Sequence, residues 1–191
     1  MRRIFSHFHL PGSLSERTKT LIALFVDIIA VATITFAATT AYYDSQTRVI
    51  YSLDKRQNNE ELIRLIDGAH RYIYFAIYTF TKDDIADALI RAKKRGVIVW
   101  GIMDRKQAET GFETSLVARL EKAGIPVERQ KHQDGIMHIK ALVTEKAYAS
   151  GSYNWTQSAT VANDEVLEVG TNARLHRYYF EILKKLLLEN S

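Results

Sequence analysis

The longest continuous apolar stretch of this sequence lies near the N-terminus, at residues 21–43. About 20 such residues in a helix can cross a bilayer, and the basic segment 1–20 predicts a cytoplasmic N-terminus. Asp27 falls near the cytoplasmic end, where a charge costs less than at the centre of a span. The pattern predicts an uncleaved membrane anchor, with the following domain exported to the periplasmic or extracellular face. The alternatives are a cleaved signal peptide, which leaves a secreted or periplasmic domain, and a buried soluble helix.

Beyond a short hinge at residues 44–47, the hydrophobic pattern switches repeatedly between two periods. Alternation with a period of two predicts strands, whereas apolar positions three and four apart predict helices. Strands are predicted at 48–53, 72–78, 97–103, 125–129 and 166–170, and helices at 59–70, 81–95, 113–123 and 173–188. Thr81 and Asp84 have the spacing of a capping box for the second of these helices. Strands that alternate with helices predict one layered α/β domain over residues 47–191.

The amino-acid composition excludes few kinds of fold, metal site or binding partner. Hydrophobic residues make up 47% of the chain, which is enough for a real core. Cysteine is absent, so disulfides and cysteine-based zinc sites are excluded. The formal net charge is +4, but it becomes nearly balanced once the charges of the N-terminal segment are set aside. Bulk charge therefore permits an anionic partner without selecting one.

One short stretch in the C-terminal half contains the side chains best suited to chemistry. His138 and Lys140 lie two residues apart on an apolar segment, and such residues point to one face of an extended chain. Ser152 and Asn154 repeat this spacing after Gly151, whose lack of a side chain permits close backbone approach. Lysine, hydroxyl and amide groups can hold a phosphate, and imidazole can be a nucleophile or a general acid. The set suits the binding of a phosphodiester and attack on its phosphorus.

Carboxylates follow in the next segment. Glu165 is predicted to orient the imidazole, with Asp164 as the second candidate and a surface ion pair as the alternative. Asn163 is predicted to give structural support, and a turn role fits it equally well. His138 by itself would most simply be a structural histidine, but the lysine, serine and asparagine that accompany it favour a catalytic role.

These residues resemble the signature of the phospholipase D superfamily, which is His-x-Lys, four residues, Asp, and then Gly-Ser-x-Asn. Glu145 stands where that family usually has aspartate, at a position that generally supports the structure through an ion pair. The resemblance runs from about residue 49 to the C-terminus and includes the segment 77–80. Segments 135–138 and 152–156 look closest to small single-motif members, the bacterial periplasmic endonucleases and mitochondrial cardiolipin hydrolases. The implied fold is a layered α/β domain with a mixed central sheet flanked by helices.

The resemblance also implies a reaction and an assembly. The family hydrolyses phosphodiesters through a phosphohistidine, with one histidine attacking phosphorus and a second protonating the leaving oxygen. The motif occurs once here, since a lysine two residues later is missing from the remaining histidines, His7, His9, His70, His132 and His176. The simplest solution is a two-fold homodimer with a composite site, to which each copy supplies His138. Such a pair of histidines would titrate as one coupled unit.

No motif predicts a metal or a cofactor. Asp83, Asp84 and Asp87 could suggest a metal cluster, but their position in the first turn of a helix favours a structural role. In the implied dimer, two lysines and two histidines supply the positive charge at the site. Hydrolysis is therefore expected to continue in EDTA.

The sequence alone leaves the substrate undecided. An endonuclease acting on DNA or RNA is favoured by the resemblance to small single-motif members. A phospholipase D that hydrolyses phosphatidyl lipids of the cardiolipin type is the main alternative, and the predicted anchor keeps it close. An inactive phosphate-binding or nucleic-acid-binding module is the second alternative.

Overall fold

The computed structural model describes residues 14–44, 46–132 and 134–191. The described chain divides into two compact units, with the boundary between Tyr42 and Tyr43. Helix α1 (Glu16–Asp44) lies in the first unit up to Tyr42, and over Glu16–Tyr42 it is long and apolar enough to cross a membrane. The N-terminal hydrophobic helix predicted from the sequence is therefore confirmed. Most of the predicted basic segment 1–20 lies outside the described residues.

The second unit contains a seven-stranded sheet and seven helices in its described part. The strands are β1 (Thr47–Tyr51), β2 (Tyr72–Ile77), β3 (Ile98–Met103), β4 (Val127–Arg129), β5 (Lys140–Thr144), β6 (Tyr148–Gly151) and β7 (Val166–Gly170). The helices are α2 (Ser52–Lys55), α3 (Asn58–Asp67), α4 (Asp83–Lys94), α5 (Arg105–Ala108), α6 (Gly111–Lys122), α7 (Gln157–Val161) and α8 (Ala173–Asn190). Every strand and helix predicted from the hydrophobic pattern is present, whereas the short helices α2, α5 and α7 were not predicted.

The strand order places the two sequence motifs side by side. The order is β1-β7-β6-β5-β2-β3-β4. Strands β2, β3 and β4 are parallel to one another, and the remaining neighbours are antiparallel, so the sheet is mixed as expected. Ile77 at the end of β2 pairs with Lys140 at the start of β5. Gly151 at the end of β6 pairs with Leu167 near the start of β7. One edge of the sheet therefore collects the ends of β2 and β6 and the starts of β5 and β7.

Apolar side chains cover both faces of the sheet. On one face, Phe75 belongs to a large buried cluster that includes residues of α3, α4 and α6. On the other face, Ala76 belongs to a smaller cluster that includes Leu183 and Leu187 of α8, both fully buried. The opposite directions of adjacent residues in β2 follow from the two-residue repeat of a strand. The domain is thus a helix–sheet–helix sandwich, and α8 supplies the second outer layer.

The start of α4 differs from the sequence prediction. Its N-cap is Lys82 and no side chain caps it, so the predicted capping box of Thr81 and Asp84 is wrong. The backbone N–H groups of Thr81 and Lys82 both donate to the carbonyl of Trp155, which holds Thr81 outside the helix. The Asp84 carboxylate instead accepts a 2.7 Å hydrogen bond from Asn59. A contact with a distant segment has replaced the local cap.

Candidate active site

The motif residues lie together at the edge of the sheet where β2 and β6 end and β5 and β7 begin. Lys140 is the first residue of β5, and His138 lies two residues before it. Gly151 is the last residue of β6, with Ser152 and Asn154 in the loop that follows. Because β5 and β6 are antiparallel neighbours, the start of one and the end of the other lie at the same edge. The two halves of the motif are therefore adjacent in space although they are more than ten residues apart in sequence.

Lys140 is held inside this edge. It is only 7% exposed, and its Nζ donates a 2.9 Å hydrogen bond to the carbonyl of His138. The same Nζ lies 5.1 Å from the centroid of the Tyr78 ring. Burial lowers the pKa of the Lys140 ammonium, and the charge of Glu165 opposes this change. An ammonium has three donors, so an anion could bind to those that the carbonyl leaves open.

His138 has a different environment. Its side chain is exposed, and its ring centroid lies 4.6 Å from that of Tyr78, with the planes inclined by 60°. Among the described residues, its ring nitrogens have no hydrogen-bond partner, and Glu165 in particular bonds elsewhere. The predicted orientation of the imidazole by Glu165 is therefore not formed within one protomer. The ring has the accessibility that a nucleophile or an acid needs.

Glu165 lies beside the other half of the motif. The Ser152 hydroxyl donates a short hydrogen bond to Glu165 Oε2 and accepts one of 3.1 Å from the backbone N–H of Val166. The side-chain amide of Asn163 reaches Glu165 Oε1 at 3.5 Å, and the Asn163 carbonyl accepts a 2.5 Å bond from the Ser52 hydroxyl. Asn163 thus contacts both Glu165 and Ser52, and its supporting role stays a prediction. The Ser152 proton, in contrast, is directed at a carboxylate in this conformation.

Asn154 is held by its carbonyl oxygen. Its Oδ1 accepts a 3.3 Å hydrogen bond from the backbone N–H of Thr79, just beyond the end of β2. The next residue, Trp155, is buried and forms an isolated bridge with Phe80. Because Oδ1 is the acceptor, Nδ2 of Asn154 is the group that could donate to a phosphate, and this role stays a prediction.

Gly151 has a conformation that other residues rarely adopt. Its φ is 154°, and a Cβ placed on it would lie 2.1 Å from the carbonyl oxygen of Val166. Both observations require glycine at this position. The close approach of β6 to β7 sets where Ser152 begins its loop.

Glu145 lies at the opposite end of β5. Its carboxylate accepts hydrogen bonds from the backbone N–H groups of His70 at 3.0 Å and Arg71 at 3.3 Å. Burial raises the pKa of Glu145, but hydrogen bonds from backbone N–H groups outweigh it, so the pKa falls below its ordinary value. In the described part of the chain no ion pair forms at Glu145. Its supporting role is exerted through backbone capping before β2.

The acidic residues of α4 have cationic partners. Arg119 pairs with Asp83 at 2.9 Å and with Asp87 at 3.2 Å, and Lys82 pairs with Asp84 at 3.1 Å. Within residues 14–44, 46–132 and 134–191, no group of three histidine, cysteine or acidic side chains is arranged to hold a metal. These contacts give the three aspartates the structural role expected of them.

Tyr78, Thr79 and Gln107 also belong to the site, although the sequence analysis assigned them no role. Tyr78 contacts both His138 and Lys140, and Thr79 supports the second half of the motif. A signal for the first two was present, since they directly follow a buried strand inside the segment 77–80. Gln107 had no such signal in the sequence, because the four-residue helix α5 is too short for a recognisable hydrophobic period.

Comparisons with known proteins agree with this geometry. Residues 62–187 match the family model "Cardiolipin synthase, PLD-like domain". The chain is 31% identical over 141 residues to the mitochondrial cardiolipin hydrolase of Chlamydomonas reinhardtii, covering 69% of this chain and 62% of the relative. It is 32% identical over 117 residues to a phospholipase D of Rickettsia conorii, covering 61% and 57%. The chain thus spans less than two thirds of the length of these curated relatives.

Two solved structures are similar over most of their own length. Nuc from Salmonella typhimurium, a phospholipase D family member, superposes with a TM-score of 0.68 and 27% identity, covering 73% of this chain and 92% of Nuc. NucT from Helicobacter pylori gives a TM-score of 0.70 and 25% identity, covering 76% and 96%. Both matches extend the similarity from the motif to the whole fold.

Proposed function

Because the chain belongs to the phospholipase D superfamily, with one copy of its motif, we propose that it hydrolyses phosphodiester bonds through a phosphohistidine intermediate. The observation that carries the proposal is the pairing at the start of β5. An exposed imidazole without a hydrogen-bond partner in the described chain and a buried ammonium both contact the Tyr78 ring, at His138 and Lys140. The ammonium neutralises a phosphate oxygen, and the imidazole is free to attack.

The proposed reaction has two steps that need two histidines. A neutral His138 attacks phosphorus, a P–N bond forms, and the P–O bond to the leaving group breaks. A protonated His138 of a second copy gives its proton to the leaving oxygen. That second imidazole then takes a proton from water, the water oxygen attacks phosphorus, and the P–N bond breaks. Both histidines return to their starting states, so protons and bonds balance.

The second imidazole requires a second copy of the chain. One protomer contains a single His138, and no other described histidine lies beside Lys140. We therefore propose a homodimer with a composite site on its two-fold axis. In that arrangement Glu165, besides its bonds to Ser152 and Asn163, would meet an imidazole across the axis in its predicted orienting role. Sedimentation of the active protein in detergent tests this, because a strictly monomeric species with full activity contradicts it.

Nucleic acid is the substrate that we propose first. This fold covers 92% of Nuc and 96% of NucT. The motif segments resemble the small endonucleases of the family, which act on DNA or RNA. No metal or cofactor enters the proposed reaction, because Lys140 and a protonated His138 provide the charge that stabilises the transition state.

Phospholipid is the second candidate, and two observations favour it. The curated relatives are named cardiolipin hydrolase and phospholipase D. Helix α1 is compatible with a membrane anchor or a signal, and as an uncleaved anchor it would place the domain beside lipid, on the exported side. N-terminal sequencing of the mature protein, with protease accessibility in intact cells, tests both the anchor and its orientation.

A substrate panel separates the candidates. The full chain and His138→Ala would be compared on bis(p-nitrophenyl) phosphate, plasmid DNA, single-stranded RNA and phosphatidyl lipids, with and without EDTA. Turnover of plasmid or RNA that depends on His138 supports the nuclease, and turnover of lipids alone supports the phospholipase. A binding module would turn over none of the four.

A further inference from the structure

Tyr78 contacts both reactive side chains of the site. Its ring centroid lies 4.6 Å from the His138 ring and 5.1 Å from Nζ of Lys140. The second distance is within the roughly 6 Å over which an aromatic ring attracts a cation. Tyr78 is itself partly buried, so its ring occupies space next to the ammonium that water would otherwise fill. A face of π-electrons therefore replaces part of the hydration of Lys140.

The ring is fixed from behind by a hydrogen-bonded segment. Gln107 Nε2 donates to the Tyr78 hydroxyl at 3.3 Å, and Gln107 Oε1 accepts from the Thr79 hydroxyl at 3.5 Å. The backbone N–H of Thr79 donates to Asn154 Oδ1 at 3.3 Å. The two residues that follow β2 thus contact His138 and Lys140 on one side and Asn154 on the other. They connect the two halves of the motif.

We infer that Tyr78 is a positioning residue, whose ring keeps Lys140 protonated and fixes the imidazole of His138 beside it. The charged group that acts on this ammonium is the Glu165 carboxylate, and the titratable imidazole of His138 contacts the same Tyr78 ring. Glu165 favours the charged form, whereas burial disfavours it, and the ring adds a second attraction of the same sign as Glu165. The consequence for catalysis rests on the proposed function, but the effect on Lys140 does not.

Two substitutions separate the ring from the hydroxyl. Tyr78→Phe keeps the π-face and loses only the contact with Gln107, so kcat/KM should stay within about threefold of the wild type. Tyr78→Leu keeps apolar bulk but removes the π-face, so kcat/KM should fall about tenfold.

Tyr72→Leu is the matched control, since Tyr72 is a partly buried tyrosine at the opposite end of β2, stacked on Tyr74 at 5.0 Å. Its loss should leave kcat/KM unchanged. A second readout is independent of turnover: the pKa of Lys140, followed by NMR of the full chain with ¹³C-labelled lysine and assigned with Lys140→Ala. Tyr78→Leu should lower this pKa relative to Tyr78→Phe.

Three results would overturn the inference. They are an equal pKa of Lys140 in the leucine and phenylalanine variants, an equal loss of activity in both, and an equal fall of this pKa in Tyr72→Leu. If the wild type hydrolyses no diester, the proposed function fails, and the NMR titration still decides whether the ring acts on Lys140.

Discussion

The two halves of the motif have similar residue spacing but different surroundings. The β5 half, His138 and Lys140, has an exposed imidazole without a hydrogen bond in the described chain and an ammonium with one carbonyl partner. The β6 half, Ser152 and Asn154, bonds to Glu165, Val166 and Thr79. Three hydrogen bonds fix the second half before any substrate arrives. The first half keeps its reactive groups open, so we expect chemistry to depend on the β5 half and geometry on the β6 half.

The largest effect should come from the β5 half. His138→Ala should lower kcat/KM by about 10³-fold or more, because it removes both the proposed nucleophile and the proposed acid. The melting temperature should change little, since the imidazole is exposed and has no hydrogen-bond partner in the described chain. Steady-state kinetics on bis(p-nitrophenyl) phosphate and thermal unfolding measure the two quantities. A large fall in melting temperature would show that His138 is a structural residue.

Gly151, which directly precedes the β6 half, should behave in the opposite way to His138, because its substitution should lower stability first. Gly151→Ala places a methyl group where the Val166 carbonyl lies 2.1 Å away, at a φ of 154°. The free energy of unfolding should fall by about 1–3 kcal/mol, and activity should fall with it as the Ser152 loop is displaced. Gly96→Ala is a suitable comparison, since Gly96 also has positive φ but nothing within 4 Å of the added Cβ. If both variants lose the same stability, backbone conformation is responsible and not the close approach to β7.

Ser152 tests how the β6 half is held. In Ser152→Ala, Glu165 loses a hydroxyl donor and the N–H of Val166 loses an acceptor, so stability should fall by about 1 kcal/mol. Activity should fall about tenfold, because the displaced carboxylate no longer has a fixed position beside the site. Ser115→Ala, an exposed serine of α6 bonded to its own helix, should be near neutral. A loss of 10³-fold or more would place Ser152 in the chemistry and blur the division between the two halves.

Features that depend only on neighbouring residues could be predicted from the sequence. Strand β7 was predicted with its observed boundaries, since its apolar run ends at Gly170 and the next helix has a clear period. The joint position of His138 and Lys140 also followed from the two-residue repeat of a strand. Such features depend on neighbours in the chain, which a single sequence contains.

The rest depended on contacts between distant segments. The capping box at Thr81 failed because the Trp155 carbonyl, more than 70 residues away, binds its N–H. The contact of Glu165 with Ser152 is set by the start of β7 lying beside the end of β6. Tyr78 reaches His138 only because β2 and β5 are paired. None of these pairings has a local signal.

The smallest effect should come from Glu145, at the end of β5 away from the site. Backbone hydrogen bonds lower its pKa below the ordinary 4.5 despite burial, so its contribution to stability is present above about pH 4.5 and is lost as pH falls through the folded-state pKa. Glu145→Gln should therefore cost about 1 kcal/mol or less at pH 7, because the bonds to His70 and Arg71 lose a charged acceptor.

The pH dependence distinguishes this origin from a packing defect. Thermal unfolding of wild type and Glu145→Gln at about pH 7 and about pH 3.5 should show a difference at neutral pH that shrinks in acid, where the wild-type carboxylate gains a proton. Glu109→Gln, at an exposed carboxylate that follows α5, should show no difference at either pH. A difference that stays constant between the two pH values would mean that the shape of the side chain, and not its charge, caps the turn before β2. Catalysis should be unaffected in either case, since Glu145 lies at the end of β5 away from His138 and Lys140.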